Sequence, residues 1–101
     1  MERMNNCDMF MLDGAILDGD VCITGNFYAG NKCKVRGDID AGGDVIFEDD
    51  ADAWGEVNAG RDVSFGDNPN VYSDVIAGGF ASFGDNAEVC DVNAGGEFFI
   101  K

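Results

Sequence analysis

The stretch GDVIFEDDADAWGEVNAG, residues 43–60, is followed at once by RDVSFGDNPNVYSDVIAG, residues 61–78. Aligned end to end, the two copies agree at Asp44/Asp62, Val45/Val63, Phe47/Phe65, Asp49/Asp67, Val57/Val75 and Ala59/Ala77. Each copy contains three groups in which small or apolar residues stand two positions apart, a spacing that places them on one side of a strand. Three short strands in each 18-residue repeat predict one three-sided coil of a β-solenoid.

The same period extends over nearly the whole chain. The sequence predicts an all-β, single-domain triangular β-solenoid of about five coils, with bounds 7–24, 25–42, 43–60, 61–78, 79–95 and a partial sixth coil at 96–101. Residues 1–6 precede the repeat as a short cap or a frayed end. The fifth coil is one residue short, and the missing residue falls after Cys90.

The composition restricts the classes of function. The chain has 101 residues, 20 acids, 6 bases and no histidine, for a net charge of −14. This balance argues against direct binding of nucleic acid or of an anionic membrane, because both require positive charge. No apolar run is long enough for a membrane span, and the first residues do not follow the signal-peptide pattern. We therefore expect a location in the bacterial cytosol, with the four cysteines as free thiols.

Glycine pairs recur at one corner of the predicted coils. They are Gly42–Gly43, Gly78–Gly79 and Gly95–Gly96. Because glycine has no Cβ, we expect these pairs to adopt positive φ in tight turns.

Two segments carry a resemblance to a known family. GDIDAGGDVIF (residues 37–47) and GEVNAGRDVSF (residues 55–65) resemble the bactofilin repeat, roughly G-x-I-x-A-x-x-V-x-I. The resemblance implies a right-handed triangular β-helix and end-to-end assembly into cytoskeletal filaments through hydrophobic terminal coils. The residues that would form such ends here are Met9, Phe10, Met11, Leu12, Phe98, Phe99 and Ile100.

Three apolar residues of the first coil are predicted to point outward: Phe10, Leu12 and Ile16. Two explanations are open. Residues 1–6 fold over them, or the three side chains belong to an interface, which clustered exposed apolar groups often mark.

The sequence offers little for catalysis. Without histidine, no Ser-His-Asp or Cys-His set can be assembled, and neither a P-loop nor zinc-ligand spacing is present. We therefore expect a protein that is not an enzyme and needs no cofactor or metal. Calcium binding by the acids is a further hypothesis, although no EF-hand or RTX-type motif occurs.

The acids align in two columns when the coils are superposed. The first column is Asp13, Asn31, Asp49, Asp67 and Asp85, and the second is Asp20, Asp38, Glu56, Asp74 and Asp91. Neighbours in a column should lie about 4.8 Å apart, the spacing of paired strands. Corner capping of local backbone amides explains the first column well. It explains the second less well, because stacked like charges repel.

The charge density suggests a binding function. Five coils form a rod roughly 25 Å long, so the net charge amounts to about one per 1.8 Å, against about one per 1.7 Å for B-DNA. In size, acidity and lack of catalytic groups the chain resembles small phage inhibitors of bacterial defence, the DNA-mimicking anti-CRISPR and antirestriction proteins. The hypothesis is that it occupies a basic nucleic-acid-binding surface of a bacterial protein complex. The predicted contact residues are Asp44, Glu48, Asp49, Asp50, Asp52, Glu56, Asp62, Asp67, Asp74, Trp54 and Tyr72.

One further column, all predicted to face outward, contains Asp18, Arg36, Trp54, Tyr72 and Cys90. Exposed Trp and Tyr beside Arg are typical interface anchors. A cation–π stack that covers the sheet surface without any partner is the alternative.

Overall fold

The computed structural model describes residues 8–100, apart from the side chain of Ile100. Fifteen short strands follow one another in that range: β1 Met9–Met11, β2 Ile16–Leu17, β3 Val21–Ile23, β4 Phe27–Ala29, β5 Lys34–Val35, β6 Ile39–Ala41, β7 Val45–Phe47, β8 Asp52–Ala53, β9 Val57–Ala59, β10 Val63–Phe65, β11 Asn70–Val71, β12 Val75–Ala77, β13 Ala81–Phe83, β14 Val92–Ala94 and β15 Phe98–Ile100. Residues 8–100 contain no helix that could cross a membrane. The predicted cap at residues 1–6 and the thiol of Cys7 lie outside the described residues.

The strands form three parallel sheets, one on each side of a triangular solenoid. Face 1 has the order β1-β4-β7-β10-β13-β15, face 2 the order β2-β5-β8-β11, and face 3 the order β3-β6-β9-β12-β14. We call the bends from face 1 to face 2, from face 2 to face 3 and from face 3 to face 1 corners 1, 2 and 3. The predicted fold class is therefore confirmed.

The register follows the sequence repeat. Val45 lies beside Val63, a step of 18 residues, and Asn70 still bridges Glu88 at the same step. On the next side of the triangle Val75 pairs with Val92, a step of only 17. The missing residue of coil five therefore lies at corner 2, where the sequence predicted it.

The core is an apolar column with a central stack of aromatic rings. Phe47 and Phe65 have ring centroids 4.7 Å apart, and Phe65 and Phe83 are 5.1 Å apart, all nearly parallel. In coil two the residue paired with Phe47 is Ala29. Phe27 on the same strand fills the space instead, with its ring centroid 5.5 Å from that of Phe47. Coils two to five thus each contribute one buried phenylalanine to the core, which fills it closely.

The left-handed backbone conformation occurs at corner 1, once in every coil. Gly14, Lys32, Asp50, Asn68 and Asn86 have φ between 59° and 75°. Lysine is unusual in this conformation, whereas Gly, Asn and Asp are common there.

The prediction of positive φ at the glycine pairs was wrong. In the described part of the chain the only glycines with positive φ are Gly14 and Gly19, neither of them in a pair. The paired glycines instead make room for the coil below them. A Cβ on Gly42 would lie 2.6 Å from the carbonyl oxygen of Thr24, and one on Gly43 would collide with Oδ1 of Asn26.

Three of the four cysteines are described, and all three are free thiols, as predicted. Cys22 and Cys90 are exposed, whereas Cys33 is buried and donates to the carbonyl oxygen of Leu12 across 3.1 Å.

Candidate functional site

Each corner carries a ladder of Asp and Asn side chains that bind the backbone of the following coil. At corner 1 the N–H of Asp49 donates to Oδ1 of Asn31, and the N–H of Asp67 donates to Oδ1 of Asp49. At corner 3 the N–H of Asp62 donates to Oδ1 of Asp44. The sequence had suggested local capping, but each of these bonds joins residues 18 apart. The carboxylates are thus fixed in rows by the backbone itself.

Corner 2 follows the same rule, which corrects the sequence interpretation of the second acid column. The N–H of Asp38 donates to Oδ1 of Asp20, and that of Glu56 donates to Oδ1 of Asp38, at 2.8 and 2.9 Å. Backbone binding therefore accounts for like charges at strand spacing in coils one to three. The longer Glu56 carboxylate instead accepts from Nδ2 of Asn58.

Glycine before the donor residue shortens the ladder bonds. The bond measures 2.7 to 2.9 Å wherever the donor follows a glycine. It measures 3.1 Å in the two cases in which the donor follows Glu48 or Arg61. A Cβ on the glycine would occupy the position of the accepting oxygen, as at Gly66 beside Asp49. A glycine followed by Asp or Asn, which occurs at least once in every coil and three times in coil two, is the sequence signal of the ladders.

The structure spreads the predicted contact acids around the whole solenoid. Those of coil three all lie within residues 44–56, but the chain turns three times within one coil. Corner 1 carries Glu48, Asp49, Asp50 and Asp67; face 2 carries Asp52; corner 2 carries Glu56 and Asp74; corner 3 carries Asp44 and Asp62. One flat partner surface cannot touch all of them.

Asp52 is already neutralised within the chain. Its carboxylate pairs with Nζ of Lys34 at 3.1 Å and accepts from Nδ2 of Asn70 at 3.1 Å. An acid engaged on both sides contributes little charge toward a partner.

The outward column at the end of face 2 forms a continuous stack. The guanidinium of Arg36 lies 3.9 Å from Asp18 and 5.9 Å from the ring centre of Trp54. The rings of Trp54 and Tyr72 are 5.3 Å apart and tilted by 59°. The predicted cation–π stack is therefore present. Trp54 is nevertheless 52% exposed and Tyr72 56% exposed, so the stack leaves aromatic surface open to a partner.

Face 3 and corner 2 together form a surface that we call the acidic face. Three of the four described cations lie elsewhere: Lys32 at corner 1, Lys34 on face 2 and Arg61 at corner 3. The fourth, Arg36, follows β5 at the edge of corner 2, where it lies between Asp18 and the ring of Trp54. The carboxylates of the acidic face come from all five coils and are Asp20, Asp38, Asp40, Glu56, Asp74 and Asp91. Sequence reasoning placed only two of these, Glu56 and Asp74, among the contact residues.

The aromatic column borders the acidic face directly. Trp54 and Tyr72 each stand two residues before a corner 2 acid, Glu56 and Asp74 respectively. These four predicted contact residues are therefore brought together, on two successive coils. Corner 2 combines ordered carboxylates on one side with exposed rings on the other, which makes it the candidate functional site.

The residues predicted for self-association divide into two groups. Met9 and Met11 point into the first coil, and Phe98 covers the aromatic core of the last coil, with its ring centre 5.7 Å from that of Phe83. The remaining described members point sideways from the rod, namely Phe10, Leu12 and Phe99. Phe10, Leu12 and Ile16 are exposed, as predicted.

The calcium hypothesis gains no site. Within residues 8–100, no three His, Cys, Asp or Glu side chains are grouped so that they could hold one metal ion.

Comparison with known proteins identified no family for this chain. No protein-family model, curated protein or solved structure matches this chain. The resemblance to bactofilins therefore rests on the sequence pattern of the coil alone, and what the structure shows is a parallel β-solenoid.

Proposed function

We propose that this chain is a non-enzymatic acidic binding protein that acts in the bacterial cytosol. It occupies a basic nucleic-acid-binding surface of a bacterial defence complex and so competes with DNA, in the manner of anti-CRISPR and antirestriction inhibitors. The observation that carries the proposal is the acidic face, where carboxylates stand in rows and the one cation at its edge among the described residues, Arg36, is already engaged by Asp18 and the ring of Trp54.

Fixed carboxylates suit the mimicry of a phosphate backbone. A surface aspartate normally loses side-chain freedom when it pairs with a partner, and that loss weakens binding. Here Asp20 and Asp38 already accept a backbone N–H with one oxygen, which leaves the second oxygen for lysine or arginine. The rows are thus ordered before the partner arrives.

Repulsion within the rows also favours a basic partner. Carboxylates at strand spacing destabilise one another, and a partner's cations would relieve this repulsion on binding. Complementary charge of this kind raises the association rate and makes affinity depend strongly on salt.

Inhibition of DNA cleavage by purified restriction endonucleases and CRISPR effector complexes tests the proposal. We expect inhibition at low ionic strength that weakens as salt rises. Asp→Asn substitutions remove charge but keep the accepting oxygen, as Asn26 and Asn31 already do in the ladders. The triple variant D20N/D38N/D74N should inhibit about tenfold less well.

The matched control removes three charges that lie outside the acidic face and outside the predicted contact residues. D8N/D13N/D85N has the same net charge as the first variant and should inhibit like the native chain. Equal losses in both triple variants would show that only total charge matters. Inhibition that does not change with salt would contradict the proposal.

A bactofilin-like subunit that stacks head to tail is the second candidate. It is favoured by the last coil, where Phe98 lies over the ring of Phe83 and is 47% exposed, and where β14 and β15 each pair with one strand among the described residues. Light scattering and negative-stain microscopy at physiological salt separate the candidates. Filaments of the isolated chain would favour stacking, and a monomer or dimer would favour the inhibitor.

A further inference from the structure

We infer that the C-terminal end of the aromatic column binds an arginine side chain of the partner, between the ring of Tyr72 and the carboxylate of Glu88. This deepens the function proposed above, on which it rests, by naming the contact that anchors the basic partner. The occupant is an extended segment of a partner protein with arginine at alternate positions.

The first half of face 2 shows how this surface holds cations. Lys34 and Arg36 stand two residues apart and both reach toward the next coil. Lys34 pairs with Asp52, and Arg36 lies against the ring of Trp54. One coil therefore receives two alternate cations on a carboxylate and an aromatic ring that are themselves two residues apart.

The second half of face 2 presents one aromatic ring and one carboxylate on neighbouring coils, without the cations. The column that begins at Asp52 continues with the amide of Asn70 and then the carboxylate of Glu88. The ring column continues from Trp54 to Tyr72, and the residue 18 positions further along the chain is Cys90, which is exposed and carries no ring. Among the described residues, Trp54 is the ring that contacts Tyr72, and Tyr72 remains more than half exposed.

The charges around this position are negative. Glu88 and Asp91 are exposed on coil five, and Asp74 stands two residues after Tyr72. Both ion pairs found in residues 8–100 lie elsewhere, at Lys34–Asp52 and Arg36–Asp18. Arginine fits the site better than lysine, because its planar guanidinium stacks on an aromatic ring while it hydrogen-bonds to carboxylates.

A short basic peptide tests the inference without the natural partner. The probe is acetyl-Thr-Arg-Thr-Arg-Thr-amide, and the same peptide with lysine is its control. Trp54 is the one tryptophan of the chain, so its fluorescence reports on the column directly, and amide chemical shifts locate the peptide. We expect saturable changes centred on Tyr72, Glu88 and Cys90, with the arginine peptide bound more tightly.

Variants separate ring stacking from charge. Tyr72→Leu keeps apolar volume but removes the aromatic ring, and we expect about fivefold weaker binding of the arginine peptide. Glu88→Gln should weaken binding to a similar degree. Tyr28→Leu, which alters an aromatic residue on face 1 that stacks on Phe10, should leave the affinity unchanged.

Three results would overturn the inference: equal affinity of the Tyr72→Leu variant and the native chain, equal affinity for the two peptides, or shifts centred on corner 1. A fluorescence change that depends on protein concentration alone would identify a second copy as the occupant and also overturn it. If Tyr72→Leu inhibits DNA cleavage normally while D20N/D38N/D74N does not, this inference fails and the proposed function stands.

Discussion

The backbone N–H of Asp67 donates to Oδ1 of Asp49 across 2.8 Å, through the space that a side chain on Gly66 would fill. Bonds of the same kind recur at all three corners. They connect three properties of the chain that look separate in its composition, namely its many glycines, its many acids and its parallel stacking.

Gly66→Ala should destabilise the solenoid. The new Cβ would collide with Oδ1 of Asp49, so the ladder bond must lengthen or break. We expect a loss of about 1–3 kcal/mol in the free energy of unfolding, measured by urea titration. Ser73→Ala is the control. Ser73 occupies the position at corner 2 that is glycine in the earlier coils, but the residue after it, Asp74, makes no ladder bond to Glu56. We therefore expect this substitution to change the free energy of unfolding by less than about 0.5 kcal/mol.

Asp49→Asn and Asp49→Ala should have different effects on the thermal midpoint of unfolding. Asparagine keeps the oxygen that accepts from Asp67 and removes one of several repelling charges, so the thermal midpoint should stay the same or rise. Alanine leaves that N–H without its partner and should lower the midpoint by about 5 °C. Equal midpoints for the two variants would mean that the ladder bond contributes nothing.

Salt should stabilise the native chain. Its net charge of −14 repels itself in the compact state. The Debye length falls from about 30 Å at 0.01 M salt to about 8 Å at 0.15 M. We therefore expect the thermal midpoint, followed by circular dichroism, to rise over this range. The D20N/D38N/D74N variant should respond less, and an equal or larger response would contradict the explanation.

Phe65→Ala should be the more damaging of two apolar truncations. Phe65 is buried between Phe47 and Phe83, and removing a buried phenylalanine ring costs about 3–5 kcal/mol. Ile76→Ala is the matched control on the outside of β12, where Ile76 is exposed. Urea unfolding of both variants measures the difference, and similar losses would contradict the assignment of inward and outward faces.

The sequence was sufficient for the fold because inward residues two positions apart leave a pattern that local inspection detects. Val45 and Phe47 illustrate this, and so does the one-residue gap after Cys90. The contact surface was harder to predict, because Glu48 and Glu56 are close in sequence yet lie at different corners. The ladders were missed because an acid such as Asp49 bonds a residue 18 positions away, which local turn chemistry does not reveal.

The central claim is that the backbone of each coil fixes the carboxylates of the coil before it. Scalar coupling across hydrogen bonds, measured by NMR on the isotope-labelled full chain, tests it most directly. We predict a correlation between the backbone nitrogen of Asp67 and the carboxylate carbon of Asp49, with its counterpart between Asp38 and Asp20. If these nitrogens instead showed correlations to carboxylates of the same coil, and none to Asp49 and Asp20, the account would be contradicted.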